Sequence, residues 1–286
     1  MISVAENLDA MADTAVHKAQ ELHAPARMLV SSMLAGAFIA VGEVLLVVAV
    51  SPLVEGHSRW ARLVEGGVFP LALTVVMFAG AQLFTSNVMV MLIGALTGRT
   101  GVRDLLGSWG FSLVGNLAGA FAFGAMVHAS GVISSPQAHA MLAELVHGKQ
   151  ALSGGELFWR GVLCNFLVCL AVWMFGGASG DGARTVVLWL PVLVFVAIGF
   201  EHCVANMAVY ALAVFDGSAG LAGLARNLAF VAPATSSAVA CWSRSPTGSS
   251  AAAPGEPTTR GPGQGGPQPN QITSVTKSSR RAVSAR

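Results

Sequence analysis

Gly80-Ala81-Gln82-Leu83-Phe84-Thr85-Ser86-Asn87 and Gly199-Phe200-Glu201-His202-Cys203-Val204-Ala205-Asn206 are the two stretches that decide how this chain is read. Each interrupts an apolar run of about 30 residues, 67–96 and 186–215. A straight membrane-crossing helix takes roughly 20 residues, so neither run is one unbroken span. Both interruptions follow the pattern G-x-[Q/E]-x-x-x-x-N. Backbone that leaves the helix at membrane depth must line a cavity or be buried in protein, because lipid cannot hydrogen-bond to it. Paired breaks in two halves of a chain point to an inverted repeat with a substrate site near the midplane. Free N–H groups at the start of each second half-helix then favour an anion.

Four further apolar stretches accompany the broken pair: 28–51, 108–129, 157–177 and 221–242. Together they give two three-span halves, with the breaks in spans two and five. The first stretch is clean apart from Glu43. The stretch 108–129 is rich in small residues (Gly115, Gly119, Ala120), which lets helices approach closely. The stretch 157–177 opens with Arg160 and holds Asn165, and 221–242 is interrupted by Arg226, Asn227, Pro233 and a Thr/Ser run. Of the 286 residues, 54% are hydrophobic and only 10% charged, and the mean hydropathy is +0.66. A soluble domain carries about 25% charged residues. The composition therefore excludes a soluble globular protein and predicts an all-α polytopic membrane protein that meets a lipid bilayer, with no nucleic-acid partner.

The two ends differ from this body. Residues 1–27 carry Glu6, Asp9, Asp13, Lys18, Glu21 and Arg27, with Leu8, Met11, Ala12, Ala15, Ala19 and Leu22 along one side. This predicts an amphipathic cytoplasmic helix rather than a signal peptide. Residues 243–286 hold 6 Lys+Arg against 1 Asp+Glu, whereas residues 1–242 hold 10 against 13. The tail is low in complexity and is expected to be a disordered basic segment. The division is thus 1–27, a 28–242 transmembrane channel body, and 243–286. Loop Lys and Arg are balanced across the spans, so only the tail's charge favours both termini inside.

Cys164, Cys169, Cys203 and Cys241 lie in or beside apolar runs, without metal or redox spacing, and read as small packing residues. No metal and no cofactor are expected. His202 alone among the histidines lies deep in a span. A charge there costs on the order of 2.5–3.5 kcal/mol or more. It is either a structural histidine bonded across the bundle near Glu201 or a pore group that meets an anion or passes a proton. No nucleophile or metal set accompanies it, so an enzyme is not expected.

Gly80–Asn87, Arg160–Met174 and Gly199–Met207 are similar to the signatures of the formate/nitrite transporter family, in order from about residue 10 to residue 231. Ser31–Leu46 and Asn227–Val231 look closer to its nitrite-channel branch than to its formate or hydrosulfide branches. The resemblance implies an aquaporin-like protomer of six helices in a homopentamer of the bacterial inner membrane, with one pore per protomer. Small monovalent anions would pass, nitrite foremost, with formate or hydrosulfide as alternatives. It implies that Leu83, Phe84 and Thr85 form the break of span two, Leu83 as an outer apolar constriction and Thr85 as hydroxyl partner of His202. Phe69, Leu73 and Phe195 would form the inner constriction, Asn165 a polar pore residue, and Lys149 an outer lysine drawing anions inward. Gly80, Gln82, Asn87, Gly199, Glu201 and Asn206 would frame the breaks. On residue type alone, the apolar four are ordinary packing residues, Asn165 a helix–helix hydrogen bonder and Lys149 a solvated loop lysine.

Two departures stand out. Position 82 is Gln where the family usually has Asp or Glu, which removes a charge near the loop. The sixth helix is expected to be atypical or truncated: from Asn227 only 16 residues precede Ser243, and Pro233 interrupts them. The sequence after Val231 is either a native basic tail or the product of a shifted reading frame. In the latter case the protein is a non-conducting member.

Overall fold

The computed structural model describes residues 2–243, with side chains described to residue 238. The tail expected to be disordered, and the side chain of Cys241, lie outside the described residues. Among the described residues the chain is helical throughout. The helices are α1 (Val4–Glu21), α2 (Pro25–Glu55), α3 (Ala61–Val68), α4 (Pro70–Phe78), α5 (Phe84–Leu96), α6 (Val102–Ser130), α7 (Pro136–Ala151), α8 (Gly154–Gly177), α9 (Asp181–Ile198), α10 (Cys203–Asp216) and α11 (Leu221–Ser243).

Five of the described helical segments are long and apolar enough to cross a membrane: α2, α3–α4 together, α6, α8 and α9. The second span is α3, α4 and α5, bent at Pro70, whose ring nitrogen has no hydrogen to donate, and broken after Phe78. The fifth is α9 and α10, broken after Ile198. In each, an 18-residue first half (Ala61–Phe78, Asp181–Ile198) precedes a shorter second half of 13 or 14 residues.

The halves pack alike. α2 lies against α6 and α8 against α11 as the most extensive helix pairs. A Cβ at Gly119 would fall 1.8 Å from the Met33 carbonyl oxygen, and one at Gly36 2.0 Å from that of Asn116. Only glycine permits the backbones to come this close. In the second half Gly161 faces Ala234, where a Cβ would sit 2.8 Å from its methyl.

The sixth span is one helix of 23 residues, about 34 Å long at 1.5 Å per residue. Counting from Asn227 omits its first turns, so it is not short. It is atypical, with Pro233 inside it. Thr235, Ser236 and Ser237 donate their hydroxyls to the carbonyls of Val231, Ala232 and Pro233, which satisfies the polar run within the helix.

The short connections fix the sides. The end of α2, the start of α3, the end of α6 and all of α7 share one side. The start of α2, the end of α5, the start of α6 and the start of α9 share the other, where α1 packs on α5.

Candidate functional site

Both breaks turn on a glycine. Gly80 (φ +66°) and Gly199 (φ +83°) end their first half-helices in the left-handed conformation. The next polar pair in each lies five positions apart. Asn87 Nδ2 donates to Gln82 Oε1 at 3.0 Å, and Asn206 Nδ2 donates to Glu201 Oε2 at 2.6 Å. In both, the asparagine Oδ1 is buried with no hydrogen-bond partner among the described residues. Each break also receives a lysine from an amphipathic helix outside the bundle. Lys18 of α1 donates to Gln82 Oε1 at 2.7 Å, and Lys149 of α7 donates to both Glu201 oxygens at 3.2 and 3.3 Å. The G-x-[Q/E]-x-x-x-x-N pattern is therefore one piece of geometry used twice.

Neighbouring helices complete the two breaks differently. Asn116 of α6 accepts the Phe84 N–H at 2.9 Å and donates to the carbonyls of Ser32 and Gln82 at 2.8 and 2.9 Å. It caps α5 in place of Leu83, which has no polar side chain. Asn227 of α11 accepts from Asn206 at 2.8 Å and donates to Glu201 at 3.2 Å. α10 is capped by His202, whose Nδ1 accepts the Ala205 N–H at 3.0 Å. The Phe84 and Ala205 N–H groups, expected to face an anion, are thus already bound to side chains.

The breaks meet at Thr85 and His202, with Oγ1 and Nε2 3.2 Å apart. A backbone N–H can only donate, so Nδ1 is an acceptor. The neutral imidazole then carries its proton on Nε2 and donates it to Thr85. Phe195 stacks on the imidazole (5.6 Å, 7°), and Phe69 meets Phe195 edge to face at 6.4 Å.

A cavity of about 870 Å³ reaches this junction from the α7 side. His202, Phe195 and Phe69 line it together with Lys149, Arg62, Glu65 and Glu144. Phe69 and Phe195 therefore share the cavity that Lys149 lines. Leu83, in the break that faces α1, is not among the lining residues. This reverses the sides expected of the two constrictions: with Lys149 outward, the phenylalanines are the outer pair. The physical reason is chain direction, since α3 starts and α9 ends on the α7 side. Leu73 lies one turn beyond Phe69 toward the break, buried and also outside the vestibule lining. Phe84 is buried in the core beside Leu83.

Two further expectations change. Lys149 is not in a loop but in the last turn of α7, and its ammonium is held by the Glu201 carboxylate. Asn165 Nδ2 donates to the Thr235 carbonyl at 2.9 Å, across the α8–α11 contact, rather than lining the vestibule. Sequence reasoning gave no role to Lys18, Glu21, Asn116, Glu43 or Glu65. The available signal was an isolated polar residue in an apolar stretch, which marks Asn116 and Glu43.

At Gln82 the missing carboxylate is supplied from elsewhere. Gln82 Nε2 donates to Glu21 of α1, so the amide bridges Lys18 and Glu21. Burial pushes the Lys18 ammonium down to about 8, against the opposing pull of Glu21.

The sequence model of the formate/nitrite transporter family matches residues 5–235. A probable formate transporter of Methanothermobacter thermautotrophicus is 35% identical over 73% of this chain and 82% of its own length. The nitrite transporter NirC of Escherichia coli is 34% identical over 72% of this chain and 77% of its own. A solved FNT family ion channel superposes with a TM-score of 0.75 at 29% identity, covering 85% of this chain and all of that one. A pentameric formate channel with formate bound superposes with a TM-score of 0.63 at 26% identity, covering 76% and 92%. The protein is an integral membrane protein, and it belongs to the formate/nitrite transporter family, whose members are channels and transporters rather than enzymes.

Proposed function

We propose that this protein is a homopentameric inner-membrane channel whose protomers each pass a small monovalent anion through the Thr85–His202 junction. Nitrite is the first candidate, with formate or hydrosulfide as alternatives. The relatives named for nitrite and for formate are about equally similar, at 34% and 35% identity, so the substrate class rests on both. The pentamer rests on the solved formate channel. The N-terminus is assigned to the cytoplasm, which puts α1 inside and the α7 vestibule outside.

One observation carries the reading: an imidazole at the foot of a vestibule, hydrogen-bonded across the two breaks at 3.2 Å. Phe69 and Phe195 form an apolar throat that strips water from an anion. The His202 Nε2–H polarises the Thr85 hydroxyl, which is free to donate to the anion beyond it. A proton-linked step asks more of the histidine. Its Nδ1 must first release the Ala205 N–H and take up a proton. Nε2 can then pass its own proton to Thr85 Oγ1 as the hydroxyl proton moves to the anion. The acid crosses neutral, and the ring is left protonated on Nδ1.

Uptake of nitrite, formate and hydrosulfide into proteoliposomes holding purified pentamers tests the reading. Saturable uptake of at least one, lost in Thr85→Val, is expected. Assembled pentamers with no flux of any of the three would overturn it.

A further inference from the structure

The vestibule has a carboxyl that neither break accounts for. Glu43 sits midway along α2, in a stretch otherwise without charge, and is 5% exposed. It lines the same cavity as Lys149 and His202. Among the described residues no side chain or backbone group donates a hydrogen bond to it. Its immediate neighbour Gly42 is pressed against α4, where a Cβ would lie 2.6 Å from that of Ala72. The helix is thereby fixed in rotation.

The charged groups around Glu43 are largely matched to one another. On the α9–α10 loop Glu201 holds Lys149 of α7. On α3 Arg62 holds Glu65 at 3.1 Å. Arg160 of α8 donates to the Gly199 carbonyl and balances Glu144 of α7 in charge. The histidines His57, His147 and His202 also line the cavity. α4, α6 and α10, which also pack on α2, bring no charged side chain to the lining. With the histidines neutral, the vestibule is balanced when Glu43 is a carboxylic acid. It holds one negative charge in excess when Glu43 is a carboxylate.

An anion path whose mouth is negative repels what it carries, and low-dielectric walls focus that field. We propose that Glu43 sets anion admission to the vestibule: its carboxylate opposes a second anion near Lys149, and its protonated form admits one and can donate its hydroxyl to it. Glu43 thus acts before the Phe69–Phe195 throat, and His202 after it. The inference rests on the anion-channel reading proposed above.

The two steps separate in a concentration series. Initial nitrite and formate uptake is measured at outside pH 5.5 and 7.5 for wild type, Glu43→Gln and Glu43→Leu. In wild type the half-saturating concentration should rise roughly tenfold from pH 5.5 to 7.5, the low end of electrostatic focusing effects. Both variants should lose most of that rise. Where neither variant assembles, the wild-type rise between pH 5.5 and 7.5 remains the readout. A variant with the wild-type pH dependence, or a wild-type value that does not rise between pH 5.5 and 7.5, would overturn the role of Glu43. No uptake by wild type would instead remove the channel reading itself.

Discussion

The two breaks share a glycine, an asparagine and a lysine, yet they hold charge in different ways. In the fifth span the acid is part of the break: Glu201 binds Lys149, Asn206 and Asn227 directly. In the second span the break is neutral, and both charges come from α1, with Gln82 joining Lys18 to Glu21. Both breaks are tied by an asparagine from a neighbouring helix, but one carries its acid within the break and the other borrows both charges from α1. The pattern G-x-[Q/E]-x-x-x-x-N thus conserves hydrogen bonds rather than charge.

The sharpest way to break this comparison is at Glu201. Glu201→Ala strands a mostly buried Lys149 and removes the acceptor of two asparagines. We expect a loss of about 3–5 kcal/mol, the range for one partner of a buried pair. It would be read as lost pentamer in detergent or a fall in unfolding temperature. Lys149→Met with Glu201→Gln removes both charges and should recover most of that loss. A double variant as unstable as Glu201→Ala would show that the amide cannot do in this break what Gln82 does in the other.

A smaller effect belongs to Asn116, which serves the first break with three hydrogen bonds. Asn116→Ala should cost about 1–3 kcal/mol, the cost of a buried group left unsatisfied. Thermal unfolding measures this. A neutral result would mean that α5 does not depend on a cap from α6.

Gln82→Glu probes the displaced charge. The new carboxylate keeps Lys18 as a partner but meets Glu21, and stability should fall by roughly 0.2–0.5 kcal/mol through the like-charge contact. Adding Glu21→Gln should restore it, since the acid and the amide have then exchanged places. A stabilising single change would show that α1 contributes no carboxylate to this break.

The smallest effect concerns Lys18. Its folded value of about 8 lies below the ordinary 10.5, so between those limits the unfolded chain binds more protons than the folded one. Stability must then rise with pH across that window. Lys18→Met should remove this part of the rise in thermal unfolding scans between pH 7.5 and 10. An unchanged slope would mean that Lys18 titrates like an exposed lysine.

Lipid made much of this legible in the sequence. Runs of 30 residues cannot be single straight spans, so the breaks at Gly80 and Gly199 were visible in the sequence itself. The close α2–α6 approach was foreshadowed by Gly115 and Gly119. α7 was missed because its 16 residues mix polar and apolar side chains and cross nothing. The Lys18–Gln82–Glu21 bridge was missed because its partners lie more than 60 residues apart. Phe69 and Phe195 were expected at the inner constriction, yet share the cavity that Lys149 lines, because apolar residues carry no mark of depth. Asn165 shows the same limit for polar residues: an amide that bonds across two helices reads like one that faces a pore.

His202 is where the two breaks meet, and His202→Asn tests that junction most directly. Asparagine is a good N-cap and keeps the acceptor for the Ala205 N–H, so α10 should survive while the ring is lost. The quantity to measure is the maximal nitrite flux at saturating concentration, from pH 5 to 8, which separates crossing from admission. The variant should assemble, and its maximal flux should be lowered and no longer vary with pH. A maximal flux that keeps the wild-type pH dependence would contradict a proton passing through this histidine.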